Sequence, residues 1–177
     1  TPQKAVARWG GDVASMVLVS EGINFIYRFD LAGEAVYLRL THQRLRPLNE
    51  IQSALQYQLH CHQSGVPVCP LIVSRDMKYI EQIEQDEHVF LAHVCGAVPG
   101  QPISFNEPND QLYCQWGRSL AQLHFAAVSF RSDQFEYGNW NEEAQELKSY
   151  IDNDDVVIKN ELGTLHRIYC YHVFINF

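Results

Sequence analysis

A glycine lies between two strand-like runs, and a cation follows on the next run. Residues 16–20 (M-V-L-V-S) lead into Glu21-Gly22-Ile23-Asn24 and then into residues 25–29 (F-I-Y-R-F). A second turn, Ala32-Gly33-Glu34, opens residues 35–40 (A-V-Y-L-R-L), which carry Arg39. These residue types in this order suit phosphate chemistry. A turn over a strand pair can cover a nucleotide, and a cation on the adjoining strand can hold its phosphates.

The elements that must position these residues follow from local signals. Residues 5–9 are predicted to form a short helix. Residues 16–20, 25–31 and 35–40 read as three strands joined by tight turns, which favours antiparallel pairing. A helix is predicted from near Pro47, with Ile51, Leu55, Tyr57 and Leu59 as its apolar stripe; Gly65 sits at its C′ position and Pro67 blocks continuation. Residues 66–70 are extended, because a residue before proline is pushed out of the helical region. Residues 71–74 and 79–83 read as a hairpin around the turn 75–78, and residues 88–94 as a further strand. Residues 95–102 hold two glycines and two prolines and form a connector. Helices are then expected from an Asn109 or Asp110 cap to about Ala127, from Asn141, and from Asp154 or Asp155 through Ile168. A mostly antiparallel sheet of five or six strands followed by helices is an α+β arrangement. It divides into a sheet lobe, 1–95, and a helical part, 96–177.

Composition narrows the function classes. The chain has 177 residues, a hydrophobic fraction of 46% and a formal net charge of −8. That balance lacks the basic stripe a nucleic-acid partner would need. No apolar run reaches the length of a membrane span, and the N-terminus has no signal-peptide pattern. Five cysteines, an odd number with no C-x-x-C pair, suggest reduced thiols and a cytoplasmic setting. His60-Cys61-His62 resembles a metal cluster, but helix neighbours two apart point to different faces, so partly exposed helix residues are the better reading. Ser119 and Ser129 have no visible base partner, which leaves a hydrolase without support.

Five segments in order carry a family resemblance: E-G-I-N-F-I-Y-R-F at 21–29, A-V-Y-L-R-L at 35–40, G-V-P-V at 65–68, A-V-P-G-Q-P-I at 97–103 and G-R-S-L-A-Q-L-H at 117–124. Together they resemble the aminoglycoside phosphotransferase and choline kinase-like group, whose fold is protein-kinase-like. The resemblance implies a kinase-like N-lobe, with an antiparallel sheet of five to six strands and one helix, followed by the first helices of an incomplete C-lobe. It also implies ATP and Mg as cofactors. Gly22 and Ile23 would form the turn over the triphosphate, where the absence of a Cβ lets the backbone come close. The Asn24 amide would hold that turn or reach a phosphate. Arg39 would stand in place of the kinase strand lysine and make forked contacts with phosphate oxygens. Glu50 is the best available carboxylate to pair with Arg39. The stretch 91–95 would be the hinge that reads adenine, through the backbone of Ala92, His93 and Val94, with Phe90 and Leu91 lining the slot. His124 would be structural, and Trp116 and Trp140 packing anchors.

Phosphoryl transfer in this group needs a loop resembling H-G-D-x-H-x-x-N and an I-D-F/W-D-type segment, which orient the acceptor and hold Mg. Neither pattern occurs in the sequence. The expectation is a chain truncated before the catalytic loop, with no catalytic or metal-ligating residues of its own and little or no kinase activity alone. The implied partners are ATP and an unnamed small-molecule hydroxyl acceptor. The apolar run 168–177 suggests self-association. A non-catalytic nucleotide- or partner-binding lobe, and a plain structural α+β domain, remain as alternatives.

Overall fold

The protein is described by a computed structural model over residues 1–99 and 109–131. The described residues belong to one compact unit. The helices expected from 141 and 154 and the apolar run 168–177 lie outside the described residues.

The chain opens with helix α1 (Pro2–Trp9), which begins on a proline whose missing N–H has no intrahelical partner to lose. Strands β1 (Asp12–Ser20), β2 (Asn24–Leu31) and β3 (Glu34–His42) follow as an antiparallel meander. Helix α2 (Leu48–Gln63) comes next, then β4 (Leu71–Ile72), β5 (Glu81–Gln85), β6 (His88–Gly96) and helix α3 (Asp110–Ser129). The six strands form one sheet in the order β1-β2-β3-β6-β4, with β5 also paired to β6.

The caps read from sequence are present. Gly65 follows α2 with φ 76, the left-handed conformation in which a glycine carries no Cβ penalty. Asn109 caps α3, its side chain accepting a hydrogen bond from the Leu112 N–H at 3.0 Å.

The expected hairpin at 71–83 is corrected. Its turn forms, with the Ser74 N–H donating to the Lys78 carbonyl at 2.8 Å. Its two arms do not pair with each other. β4 lies against Val94 and Cys95, while β5 lies against residues 88–92, so both occupy the same edge of β6 at different heights. The true hairpin is β5–β6, closed at Asp86, whose φ is 53.

Alternation along the strands separates two faces. Phe29, Val36, Leu38, Leu40, Ala92 and Val94 point to one face and are covered by Ala5, Val6 and Trp9 of α1. The indole N–H of Trp9 donates to the Ile72 carbonyl at 2.8 Å, so burying the ring leaves no donor unpaired. The opposite face receives α2, whose Ile51 and Leu55 pack on Leu91. Helix α3 joins α2 through Ala126 and Leu123, which meet Cys61, Val66 and Val68. Tyr57 Oη donates to the Leu123 carbonyl at 2.6 Å, and His60 Nε2 lies 3.0 Å from the Ala126 carbonyl. Cys61 is therefore buried rather than partly exposed. No group of three His, Cys, Asp or Glu side chains among the described residues could hold a metal ion.

Candidate functional site

The α2-side face of the sheet is polar at its centre. Register fixes which residues share it: Asn24 lies opposite Thr41, Ile26 opposite Arg39, and Arg39 opposite His93. Directly opposed residues in an antiparallel pair point to the same side. Arg39 and Asn24 therefore share one face, turned away from the α1 core.

The turn between β1 and β2 sits at the end of this face. Nothing lies within 4 Å of where a Cβ on Gly22 would be, and its φ is not in the left-handed region. Neither packing nor backbone strain explains glycine there, and the space beside it is open. Ile23 is exposed. The Asn24 side chain holds the turn, Oδ1 accepting from Thr41 Oγ1 at 2.6 Å. Of the two roles expected for this amide, the holding contact is the one in place.

Arg39 is half-buried. Desolvation lowers its pKa from the ordinary arginine value, and nearby Cys95 and Cys69 oppose that shift. An arginine titrates so high that the guanidinium stays charged through the physiological range. Its cross-strand neighbour His93 is buried, and its Nδ1 has no hydrogen-bond partner. Desolvation, reinforced by the cations Arg39 and Arg46, holds His93 down at about 3, so its ring is neutral at pH 7.

Two expected placements are corrected. Glu50 forms its ion pair with Arg46, Oε2 lying 3.6 Å from Nε, in an i,i+4 arrangement between the entry to α2 and its first turn. The carboxylate at the start of the helix is thus engaged by its own helix entry rather than by Arg39. The backbone of Ala92, His93 and Val94 does not form an open hinge. It lies inside the sheet, with Ala92 facing both Leu40 and Glu81, and Val94 facing both Leu38 and Ile72. Ala92 and Val94 thus pair on two edges, while His93 pairs on one, with Arg39. β6 runs on to Gly96, whose N–H donates to the Pro70 carbonyl at 2.9 Å. Extended backbone that leaves the sheet begins only at residues 97–99, which are exposed.

On α3, His124 is exposed, as is Trp116 at 42% relative accessibility. Trp140 lies outside the described residues. Sequence reasoning missed Cys69 and Cys95, whose sulfurs act favourably on the Arg39 charge; Gln58 Nε2 lies 3.1 Å from Cys69 Sγ, and the Cys95 thiol donates to the Tyr37 carbonyl at 3.9 Å.

An antiparallel sheet bearing a cation on its third strand, a glycine turn over the first two, one helix across the cation's face, and a helix following the last strand define a protein-kinase-like N-lobe with the start of a helical lobe. Proteins to which the chain is similar include small-molecule kinases. The chain is 22% identical to amicoumacin kinase of Bacillus subtilis (strain 168) over 166 residues, which is 92% of this chain and 49% of that protein. A solved amicoumacin kinase, in complex with AMP-PNP and Ca2+, superposes with a TM-score of 0.77 at 22% identity, covering 95% of this chain and 52% of the other. A microcompartment-associated aminopropanol kinase gives 0.65 at 19% identity over 78% of this chain and 44% of its own. A spectinomycin phosphotransferase, in complex with ADP and spectinomycin, gives 0.60 at 15% identity over 86% and 46%. The resemblance drawn from the five sequence segments is borne out by these likenesses, and the fold is the one expected. No protein-family model matches the chain. The chain spans about half the length of the curated relative it matches.

Proposed function

We propose that this chain carries the nucleotide-binding lobe of an ATP-dependent phosphotransferase acting on a hydroxyl of a small molecule. The observation that carries this reading is the half-buried Arg39 guanidinium on the same sheet face as Asn24, beneath a turn whose Gly22 opens onto free space. The fold shared with kinases solved with AMP-PNP or ADP supports it.

In this reading the backbone at Gly22 and Ile23 closes over the phosphates, and the Asn24–Thr41 hydrogen bond fixes the angle of that turn. Arg39 holds phosphate oxygens through its paired N–H donors, and half-burial strengthens each contact relative to one in water. The adenine would be read by backbone groups of the extended segment around His93 or beyond Gly96, since Ala92 and Val94 are paired on both edges. Mg would arrive with the nucleotide and neutralise charge on its phosphates. The described residues offer no acid cluster to hold it, so no step through the metal is assigned to them.

The second reading is a lobe that binds nucleotide or a partner without turnover. The two share the phosphate site and differ in transfer. AMP-PNP titration of the purified chain, beside Gly22→Val, tests the site. The valine meets no neighbour in the free protein, so weaker nucleotide binding with an unchanged melting temperature supports the site, and equal affinity refutes it. Incubation with Mg-ATP and a panel of amino alcohols and aminoglycosides tests transfer. The expectation is no turnover by this chain alone, and clear turnover would remove the second reading.

A further inference from the structure

Side chains from three neighbouring strands meet at one end of the α1-side face. His42 ends β3 in phase with Leu38 and Leu40, and lies opposite Phe90 on β6. His88 is two residues before Phe90 on the same strand, and Gln85 of β5 lies directly opposite His88. Opposed residues, and residues two apart on a strand, point to the same side. His42, His88 and Gln85 therefore share one side of the sheet.

The two imidazoles are in contact. His42 Nε2 lies 3.1 Å from His88 Nδ1, with the ring centroids 5.2 Å apart in an edge-on arrangement. Phe90 packs edge-on against the His42 ring at 5.1 Å. The turn after β3 fixes the His42 backbone, whose carbonyl accepts from the Leu45 and Arg46 N–H groups at 2.9 and 3.3 Å. The His42 Nδ1 accepts from the Arg44 N–H at 3.1 Å. A backbone N–H only donates, so His42 carries its proton on Nε2 and shares it with His88 Nδ1. Gln85 Oε1, across from His88, is buried and has no hydrogen-bond partner. A spacing of 3.1 Å also suits two nitrogens on one metal ion. With bonds of about 2.0–2.1 Å, ligands at a right angle stand about 2.9 Å apart and tetrahedral ones about 3.3 Å apart.

We propose that His42, His88 and Gln85 form a site for a first-row transition-metal dication such as Zn2+, bound by two imidazole nitrogens and one amide oxygen. Imidazole donors suit zinc, copper and nickel, whereas magnesium and calcium take oxygen sets. The amide is needed, because the described residues hold no cluster of three His, Cys, Asp or Glu side chains. The ion takes the place of the shared proton. That proton moves from Nε2 of His42 to Nδ1, and the Arg44 N–H, at the surface, turns to water. His88 keeps its own proton on Nε2, and nothing is oxidised or reduced. Water completes the coordination, since His88 is exposed. The bound ion clasps β3, β6 and β5 together at one end. This site lies across the sheet from Arg39, so its failure leaves the phosphotransferase reading untouched, and the converse also holds.

The test is calorimetric titration of the whole 177-residue chain with zinc chloride, near neutral pH and without nucleotide. Binding is expected, with a rise in melting temperature, because the ion binds the folded strands and not the separated ones. His42→Ala and His88→Ala should each weaken binding by at least about tenfold, the loss that even an outer-shell partner brings. Gln85→Leu should weaken it by a smaller factor. His62→Ala, at an exposed position on α2, should leave it unchanged. Copper bound to the unaltered chain gives a second measurement that needs no variant: its electron paramagnetic resonance spectrum should show coupling to two imidazole nitrogens. No zinc binding by the unaltered chain, binding that survives His42→Ala and His88→Ala, an equal loss in His62→Ala, or coupling to fewer than two imidazoles overturns the proposal.

Discussion

Removing the Arg39 side chain is the sharpest perturbation of the proposed phosphate site. The guanidinium is half-buried on β3, on the face opposite the α1 core, so Arg39→Ala leaves the apolar cluster of Phe29, Val36, Leu38 and Leu40 intact. A hydrogen bond to a charged group contributes about 1.5–3 kcal/mol. Loss of one such contact to phosphate raises Kd by roughly ten- to 150-fold. Arg39→Lys keeps the charge and loses the fork, so its Kd should fall between those of the parent and the alanine variant. The control is Arg8→Ala. Arg8 sits on α1, with its Nη1 3.5 Å from Asp76 in a half-exposed pair. It changes net charge equally but on the other side of the sheet, and should leave Kd unchanged. The assay is calorimetric titration with Mg-AMP-PNP at fixed ionic strength, with melting curves to confirm folding. An Arg39→Ala protein that stays folded and binds within about twofold of the parent would refute the argument, as would equal losses in both alanine variants.

Three further outcomes concern the scaffold. A Cβ on Gly11 would overlap the ring of Phe29, which is fully buried, so Gly11→Ala should destabilise by about 1–3 kcal/mol, seen as a lower denaturation midpoint in urea with an unchanged slope. Ser74 Oγ donates to Glu81 Oε1 at 2.6 Å, and both residues are buried. Ser74→Ala strips that carboxylate of a donor at a cost of about 1–3 kcal/mol, whereas a midpoint within experimental error of the parent would contradict the hydrogen bond's role. His93, held down at about 3, binds no proton in the folded state while the unfolded chain takes one up below about 6.5. The unfolded state then holds more protons, so stability falls as pH drops through the window from 6.5 towards 3, by up to about 1.4 kcal/mol per pH unit from this group. His93→Phe should flatten that part of the stability–pH curve, and an unchanged slope would show that the ring is not buried neutral.

Local signals carried much of this fold into the sequence. Gly65 ends α2 because only a residue free of Cβ takes φ 76 without penalty, and Asn109 starts α3 because its side chain answers an orphan N–H. Period-two alternation in residues 35–40 placed Arg39 opposite in direction to Leu38 and Leu40, so the cation's face was legible as well. Pairing was not. The turn at Ser74–Lys78 is real, but a turn states only that the chain reverses, not which strand its arms will join, and both arms join β6. The hinge was misplaced for the same reason. Residues 91–95 are extended in any reading, and only the register shows that Leu91, Ala92, Val94 and Cys95 have neighbours on both sides of β6. The Glu50 pairing followed a resemblance, while the nearer cation, Arg46, lay four residues away on the same helix entry.

Register explains the site. The β2–β3–β6 ladder places Asn24, Arg39 and His93 across one face, and the β4–β6 ladder sets Leu71 opposite Cys95 beside it. A one-residue slip of register inverts every side chain of a strand, so the apolar α1 face locks the polar face against it. A one-residue slip of β3 would turn Arg39 into the α1 core and drive Leu38 out of it. The large cost of burying a charge among Phe29, Val36 and Val94 is what forbids that slip. The phosphate cation is therefore positioned by residues that never touch phosphate. Core substitutions at Leu38 or Leu40 that preserve volume should leave nucleotide affinity unchanged, whereas a charged residue at either position should abolish folding and binding together.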